Sequence, residues 1–227
     1  MTVLSGDESQ KEQSKWEEAF ARNKEMFGEA PSSAAVRAAK LFQDRGMTRI
    51  LELGAGQGRD TMFLAQNGFF VTVLDYTAEG TRRIQEKADA LHLLDRIQVI
   101  QHDIREPFPL AADTFDACYS HMLYCMALST EALHQLSAHI RQVVRPGGLN
   151  VYTVRHKGDP HYGQGVHHGE DLYEIGGFIV HFFDRAKIDH LSEGYRILDV
   201  YEFEEGGLPR RLYQVTQEKV DVAAVMG

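Results

Sequence analysis

A chain of 227 residues, 43% hydrophobic and 25% charged, can form one α/β domain with a full core but not two ordinary domains. Its formal net charge of −9, without a long lysine or arginine cluster, argues against nucleic acid as a partner. No apolar run reaches the roughly 18 to 20 residues of a membrane span, and the first fifteen residues lack the apolar stretch of a signal peptide. Two cysteines cannot form a disulfide framework, so we expect a cytoplasmic protein.

Residues 1–46 predict two helices ahead of the first strand. The helical pattern starts at residue 11 and places Trp16 and Phe20 on one face, while a serine at position 32 or 33 can cap the second helix, residues 34–44. Two interpretations stay open for this region. The helices either pack against the sheet or form a lid that brings Trp16 over a ligand.

The stretch at residues 49–60, RILELGAGQGRD, joins an apolar strand to a helix through Gly54, Gly56 and Gly58. Glycines allow the backbone to turn tightly and to approach a ligand, and the amides at the helix start point towards negative charge. The stretch is therefore typical of the first half of a nucleotide-binding βα unit. Glu52, near the end of the strand, is a candidate partner for the amides of the loop.

Downstream, apolar runs alternate with amphipathic stretches, which predicts a mostly parallel sheet with helices on both faces. Strands are predicted at residues 69–75, 97–101, 115–121, 149–154, 195–204 and 210–218, and helices at 79–94, 130–144 and 185–193. Residues 206–209, with two glycines and a proline, connect the last two strands as a hairpin. Without an internal repeat or linker, residues 1–227 are expected to form a single domain.

Residues 155–183 differ in composition, with six glycines and five of the eleven histidines, and predict a long irregular insertion at the acceptor site. The histidines are too unevenly spaced for a standard zinc pattern, so we expect no metal site. They either belong to a polar loop or contact the acceptor. His181 is the favoured catalytic candidate because a titratable group inside an apolar run requires a partner. Arg155, at the tip of the fifth strand, is placed to attract an anionic acceptor.

Two positions in the sequence limit which nucleotide-containing cofactor the site could bind. Asp75 lies at the end of the second strand, where a carboxylate accepts hydrogen bonds from both hydroxyls of a ribose. That feature suits a nicotinamide dinucleotide and S-adenosylmethionine equally well. Dinucleotide sites prefer a third glycine at the position that Arg59 occupies, so the loop is more polar than a pyrophosphate favours. A nicotinamide-dependent oxidoreductase remains an alternative.

Five ordered motifs resemble the class I S-adenosylmethionine-dependent methyltransferases: ELGAGQGRD at 52–60, LDYT at 74–77, QHDI at 101–104, FDACYSHMLY at 115–124 and RPGGLNVYTV at 145–154. The resemblance implies a doubly wound, seven-stranded α/β sheet with an antiparallel last strand, S-adenosylmethionine as the cofactor and a small-molecule acceptor. Within that family, GQGRD and the EGY at 193–195 resemble the tellurite-resistance (TehB-like) and thiopurine methyltransferases.

The resemblance also implies cofactor contacts at the ends of the first four strands. They are Gly54, Ala55, Gly56 and Gly58 beneath the methionine portion, Asp75 and Tyr76 at the ribose and adenine, Asp103 and Ile104 at the adenine ring, and Ser120 at the methionyl tail. Trp16 joins them from the lid, and His121, near the sulfonium, is a catalytic candidate beside His181 and Arg155.

Methyl transfer is an in-line displacement that depends on alignment and on water exclusion. Whether the acceptor atom belongs to a thiol, a metalloid oxyanion, a hydroxyl or an amine stays open at this point, as do the use of a general base and the oligomeric state. A non-catalytic S-adenosylmethionine-binding protein is the second alternative.

Overall fold

The computed structural model describes residues 6–206 and 210–221, and within these ranges the chain forms six helices and ten strands. The helices are α1 (Gly6–Arg22), α2 (Ser33–Asp44), α3 (Arg59–Gln66), α4 (Ala78–Ala90), α5 (Thr130–Val143) and α6 (Arg185–His190). The strands are β1 (Arg49–Leu53), β2 (Phe70–Asp75), β3 (Ile97–Gln101), β4 (Phe115–Ser120), β5 (Val144–Arg155), β6 (Val166–Gly169), β7 (Leu172–Ile175), β8 (Phe178–His181), β9 (Tyr195–Glu205) and β10 (Arg210–Lys219).

Seven strands form the main sheet in the order β3-β2-β1-β4-β5-β10-β9. Strands β1 to β5 pair in parallel, whereas β10 is antiparallel to both β5 and β9. The predicted fold class, with an antiparallel last strand, is confirmed. The chain order reverses between β1 and β4, and ligands bind at the carboxyl ends of strands beside such a reversal.

Apolar side chains cover both faces of the sheet, because parallel strands are buried on either side. One core cluster joins the sheet to α2, α3 and α4, and includes Phe42 and Ile84. The other joins it to α5 and α6, and includes Leu136 and Ile188. No described helix is long and apolar enough to pass through a membrane.

The prediction of an irregular insertion at residues 155–183 was wrong, because β6, β7 and β8 form a second, three-stranded antiparallel sheet. Two-residue turns with positive φ connect its strands: Glu170 and Asp171 at 51° and 67°, then Gly176 and Gly177 at 61° and 85°. Paired positive φ values are typical of type I′ hairpin turns. Two of the glycines that suggested a loop, Gly176 and Gly177, form a hairpin turn instead.

Two other boundaries differ from the prediction. Helix α1 already begins at Gly6, ahead of the expected start at residue 11. Strand β5 includes the RPGG segment, since Phe115 pairs with Val144 while Ala117 pairs with Leu149, so residues 145–148 bulge out of register. Part of the predicted final hairpin, residues 207–209, lies outside the described residues.

Candidate active site

A cavity of about 620 Å³ lies at the carboxyl ends of β1 to β4. Its floor is formed by residues 54–57 after β1, 75–76 after β2, 102–105 after β3 and 121–123 after β4. Helix α1 and the β7–β8 hairpin supply apolar walls, among them Trp16, Phe20 and Phe178. Small-molecule sites typically occupy about 300 to 1,000 Å³, so the cavity has the size and position of a ligand site.

The glycine turn is shaped by positive φ angles of 65°, 56° and 81° at Gly54, Gly56 and Gly58. Two of the glycines also leave no room for a side chain. A Cβ at Gly54 would lie 2.8 Å from Leu123 Cδ1, and one at Gly58 would lie 2.7 Å from Ile84 Cγ1. The turn therefore packs directly against the β4 loop and α4. Gly54 and Ala55 line the cavity beside Gly56, whereas Gly58 lies behind it.

Asp75 organises the turn from the end of β2. Its Oδ2 accepts a hydrogen bond from the Gly56 N–H at 2.8 Å, and its Oδ1 accepts from the N–H and hydroxyl of Thr77 at 2.8 and 2.6 Å. A carboxylate offers about four lone-pair sites, so three are occupied and one remains on Oδ2 for a ribose hydroxyl. Burial raises the pKa of Asp75 above its ordinary value.

Glu52 is the buried acid of the site, and it does not serve the loop amides as expected. The N–H groups of Gly54, Gly56 and Gly58 donate to Leu74 O, Asp75 Oδ2 and Ala55 O instead. The Glu52 side chain lines the cavity and is 3% exposed, and its Oε2 has no hydrogen-bond partner among the described residues. Burial, with the nearby Asp60 carboxylate, raises the pKa of Glu52 to about 8. A charged acid inside an otherwise apolar strand was the sequence signal for this site.

The residues expected at the adenine line the cavity together. Asp103 accepts hydrogen bonds from the Arg105 N–H at 3.0 Å and from its guanidinium. Although partial burial opposes it, this partner holds the pKa of Asp103 below its ordinary value. Tyr76 and Ile104 lie alongside, and burial raises the pKa of the Tyr76 phenol. This part of the wall therefore combines an aromatic and an aliphatic side chain with one carboxylate that Arg105 already pairs.

Helix α1 crosses the cavity with its aromatic face inward. The Trp16 ring lies 4.7 Å from Phe178 and 5.5 Å from Phe20, between ring centroids. Lys15 Nζ donates to Gly177 O, which attaches α1 to the β7–β8 turn.

On the other side of the cavity, two polar side chains of α1 hold the β2–α4 connection, and sequence reasoning missed both. Gln13 Nε2 donates to Tyr76 O at 2.9 Å. The Glu17 carboxylate accepts from Ala78 N–H and from Glu79 N–H, the latter at 2.9 Å. Glu17 thereby caps α4, whose own N-cap residue, Thr77, makes no side-chain capping bond.

His121 lines the cavity at the end of β4 with both ring nitrogens engaged. Its Nδ1 lies 3.0 Å from the Thr153 hydroxyl, and its Nε2 lies 2.9 Å from Glu205 Oε2. Because Nε2 faces a carboxylate, that nitrogen carries the proton. Glu205, near the end of β9, is a cavity residue that sequence reasoning missed.

Arg155 also lines the cavity, and it is held by a nearby turn. Its guanidinium forms a two-point ion pair with Asp159, and its Nη2 lies 2.9 Å from His161 Nδ1. Burial opposes ionisation of Asp159, but Arg155 holds the pKa of that carboxyl below its ordinary value. A guanidinium only donates, so His161 Nδ1 accepts and the His161 proton resides on Nε2. His161 and Arg210 complete this wall.

Besides Gly58, two further predicted site residues lie outside the cavity. Ser120 is fully buried in β4. His181 is also fully buried: its Nδ1 lies 2.7 Å from Leu128 O, and its Nε2 faces Lys187 Nζ. Burial and the Lys187 ammonium lower the pKa of His181 to about 4. The structure thus places His181 as a packing residue between the β4–α5 loop and α6, away from the cavity expected for a catalytic base.

The five histidines of residues 155–183 are dispersed. His156 stacks on Tyr213 at 4.4 Å and His167 stacks on Tyr173 at 4.7 Å, while His161 alone of the five lines the cavity. Across residues 6–206 and 210–221, no group of three or more His, Cys, Asp or Glu side chains is arranged to hold a metal ion.

A family comparison agrees with the fold and with the position of the cavity beside the strand-order reversal. Residues 50–148, from β1 into β5, match the model of the methyltransferase domain family. This match supports the predicted class, a methyltransferase that uses S-adenosylmethionine.

Particular relatives support the same class. The malonyl-[acyl-carrier protein] O-methyltransferase of Salmonella typhimurium is 28% identical over 160 residues, which cover 69% of this chain and 57% of the relative. The matching enzyme of Pectobacterium atrosepticum is 27% identical over 57% of this chain and 47% of its own length. The chain thus spans about half the length of these relatives.

Among solved structures, the 1,6-didemethyltoxoflavin-N1-methyltransferase of Burkholderia thailandensis, with bound 1,6-didemethyltoxoflavin and S-adenosylhomocysteine, superposes with a TM-score of 0.75. The two are 18% identical, and the superposition covers 97% of this chain and 93% of the other. At this level of identity the likeness shows a common fold.

Proposed function

We propose that the chain transfers a methyl group from S-adenosylmethionine to a small-molecule acceptor by in-line displacement. The observation that carries the proposal is Glu52, a buried carboxyl with an unpartnered oxygen in the cavity wall beside the glycine turn. S-adenosylmethionine carries a sulfonium and an α-ammonium, and a buried acid without a partner is suited to such a cation. The donor set of the cavity therefore fits this cofactor.

The remaining contacts follow from position along the cavity. We assign the methionine portion to Gly54, Ala55 and Gly56, one ribose hydroxyl to Asp75, and the adenine to Tyr76, Asp103 and Ile104, with Trp16 closing over them from α1. Gly58 and Ser120 act through backbone shape and packing. These assignments keep the predicted cofactor residues but give two of them an indirect role.

When bound, S-adenosylmethionine supplies an electrophilic methyl group on a cationic sulfur. The chain aligns the nucleophile with that group and excludes water, which together account for most of the acceleration expected in a displacement of this kind. The Met122, Met126 and Phe178 side chains make the surrounding wall apolar. Such a wall favours the reaction because charge is cancelled when the nucleophile is anionic and is dispersed over two atoms when the nucleophile is neutral.

The malonyl-[acyl-carrier protein] O-methyltransferase relatives suggest an oxygen acceptor, whereas the resemblance to tellurite-resistance and thiopurine methyltransferases suggests a metalloid oxyanion or a thiol. A screen of carboxylate, metalloid-oxyanion, thiol, phenol and amine acceptors, measured by S-adenosylhomocysteine production, separates these branches. Binding without turnover on any acceptor would instead favour a non-catalytic S-adenosylmethionine-binding protein. A cytoplasmic location stays a prediction outside this test.

Calorimetry with S-adenosylhomocysteine tests the cofactor site. Asp75→Asn removes the charged acceptor for a ribose hydroxyl, and loss of one charge-assisted hydrogen bond should weaken binding about ten- to a hundredfold. Asp44→Asn is the matched control, because Asp44 is an exposed carboxylate on α2 paired only with Lys40. Absence of binding to the wild-type chain, or equal affinity in both variants, would refute the proposal.

A further inference from the structure

Charge is distributed unevenly along the cavity. Acidic side chains line the part beside the glycine turn and β2–β3: Glu12, Glu52, Asp60, Asp75 and Asp103, with Arg105 among them. A second group of lining side chains, which we name the acceptor end, consists of His121, Arg155, His161, Glu205 and Arg210. His121 contacts Glu205, Arg155 contacts His161, and Arg210 pairs with Glu205 in the register of β9 and β10. Two arginines and two histidines at one end of a cavity are notable in a chain with a net charge of −9.

The two groups of side chains also differ in whether they donate or accept hydrogen bonds. At the acceptor end, Arg155 and Arg210 only donate, and His161 retains a donor at Nε2 because its Nδ1 faces Arg155. His121 has both ring nitrogens engaged. Arg210 is exposed and forms no ion pair with a described residue, so its charge is available to a ligand.

Asp159 does not line the cavity, but its carboxylate is paired with Arg155. Glu205 is the carboxylate that lines this end of the cavity, and it is also bound. Its carboxylate lies 2.9 Å from His121 Nε2 and 3.9 Å from the Arg59 guanidinium. Burial opposes ionisation, but His121 and Arg59 hold the pKa of Glu205 below its ordinary value. A carboxylate in that state is a weak base. The acceptor end therefore offers several free donors and no free strong base among its described residues.

We propose, on the basis of the methyl transfer proposed above, that the acceptor is a carboxylate bound by Arg155, His161 and Arg210, and that its oxygen receives the methyl group. A lone pair on that oxygen forms the new O–C bond while the C–S bond breaks and its electron pair remains on sulfur. The products are a methyl ester and S-adenosylhomocysteine. A carboxylate is already deprotonated when it binds, so the step releases no proton. It therefore needs no general base, and the acceptor end offers no free strong base.

The small sheet indicates what the carboxylate is attached to. Ile175, Phe178 and Ile179 line the cavity from β7 and β8. An apolar wall in the same cavity as a cluster of donors suits an acid with a hydrocarbon or aromatic body. Free phosphates and other anions without an apolar body should bind less well.

The test compares acids with their primary amides on the chain saturated with S-adenosylhomocysteine. Straight-chain and aromatic carboxylic acids and the matching carboxamides have similar shapes, and calorimetry measures each. We expect acids to bind about ten- to a hundredfold more tightly, because the amide loses the charge-assisted bonds. Acids and amides that bind equally, or a panel without any bound acid, would overturn the inference.

Substitutions of single arginines test which side chains bind the acid. Arg210→Gln and Arg155→Lys should each weaken acid binding about tenfold or more. The first removes a charge, and in the second lysine cannot form the two-point pair with Asp159 that holds Arg155 in the cavity wall. Arg211→Gln is the control, since Arg211 follows Arg210 on β10 but pairs with Glu204 and does not line the cavity. Affinity for S-adenosylhomocysteine should be the same in all three. A normal cofactor affinity with no effect of either arginine would refute the carboxylate site while leaving the proposed function intact.

The product identifies the methylated atom. Turnover with S-adenosylmethionine carrying a tritiated methyl group should give a product from which alkali releases radioactive methanol, as an ester does. An alkali-stable methyl group would show that the carboxylate is only an anchor and would overturn the ester step.

Discussion

Replacement of Glu52 by glutamine should make the chain more stable, and the size of the effect should depend on pH. Burial raises the pKa of Glu52 from 4.5 to about 8 in the folded protein. The folded state therefore keeps a proton that the unfolded state loses. As the pH rises from 4.5 to 8, the free energy of unfolding should fall, and above pH 8 it should stay level. Below pH 4.5 both states hold the proton and Glu52 has no such effect.

The magnitude follows from the same shift. At 1.36 kcal/mol for each pKa unit, Glu52 should lower the free energy of unfolding by about 3 kcal/mol at pH 7 and by about 4 kcal/mol at pH 8. Glutamine has a similar shape and does not ionise, so Glu52→Gln should recover these amounts. In a domain of this size, about 3 kcal/mol corresponds to a rise in Tm of roughly 6 to 12 °C.

Thermal unfolding at pH 5 and pH 8 provides the assay. The stabilisation should be below about 1 kcal/mol at pH 5 and largest at pH 8. Glu193→Gln, at an exposed position before β9, should show no such trend. A Glu52→Gln gain that is equal at the two pH values, or a loss of stability at pH 8, would refute the reasoning.

The same substitution should weaken cofactor binding, although it stabilises the folded chain. If the α-ammonium of the cofactor lies beside Glu52, binding should ionise the carboxyl and release a proton. Calorimetry of S-adenosylhomocysteine in phosphate and in Tris, which differ in ionisation enthalpy, should reveal this release in the wild-type chain. The Glu52→Gln variant should bind more weakly and release no proton. Equal enthalpies in both buffers for the wild-type chain would contradict the assignment.

Three further predictions concern the turn, the lid and the buried histidine. Gly80→Ala should weaken S-adenosylhomocysteine binding at least about tenfold, since its Cβ would lie 2.6 Å from Gly56 O. Gly163→Ala is the calorimetric control, because its Cβ meets no atom within 4 Å and the strain from its φ of 78° is local to its own backbone. Glu17→Ala should lower stability by about 1 kcal/mol and speed proteolysis within α1, whereas unchanged cleavage would refute the capping role. His181→Leu should lower stability by about 1 to 3 kcal/mol without changing cofactor affinity, and lost turnover at full stability would restore a catalytic role.

The main sheet could be predicted because its signals are local. An apolar strand, a glycine turn and a terminal carboxylate occur within a few residues of each other, so β1, β2, β3 and the cofactor residues after them were placed to within one or two positions. The β6–β8 sheet could not be recognised in the same way. Its strands are only four residues long, and the glycines of a tight hairpin cannot be distinguished by composition from those of an irregular loop.

Histidine roles depend on contacts that the sequence pattern does not encode. His181 and His161 belong to the same glycine- and histidine-rich segment, yet one faces Lys187 of α6 and the other faces Arg155 of β5. The apolar neighbours of His181 correctly predicted that it is buried and has a partner. That partner, Lys187, donates to Nε2, so the nitrogen that could accept a proton from a substrate is already occupied. Glu205 was missed because it reaches His121 from 84 positions away along the chain.

The division of the cavity into two ends also explains why its cofactor half was predictable and its acceptor half was not. The cofactor half arises from consecutive strand ends within the matched domain, and changes there disturb the glycine turn, as the close packing of Gly54 and Gly58 demonstrates. The acceptor end combines the β4 loop with β5, the turn at residues 159–161, and β9 with β10, most of which lie beyond residue 148. Substitutions in these later elements can alter acceptor charge without touching the turn. Acceptor specificity should therefore be exchangeable by changing Arg155, His161 and Arg210, with cofactor affinity preserved.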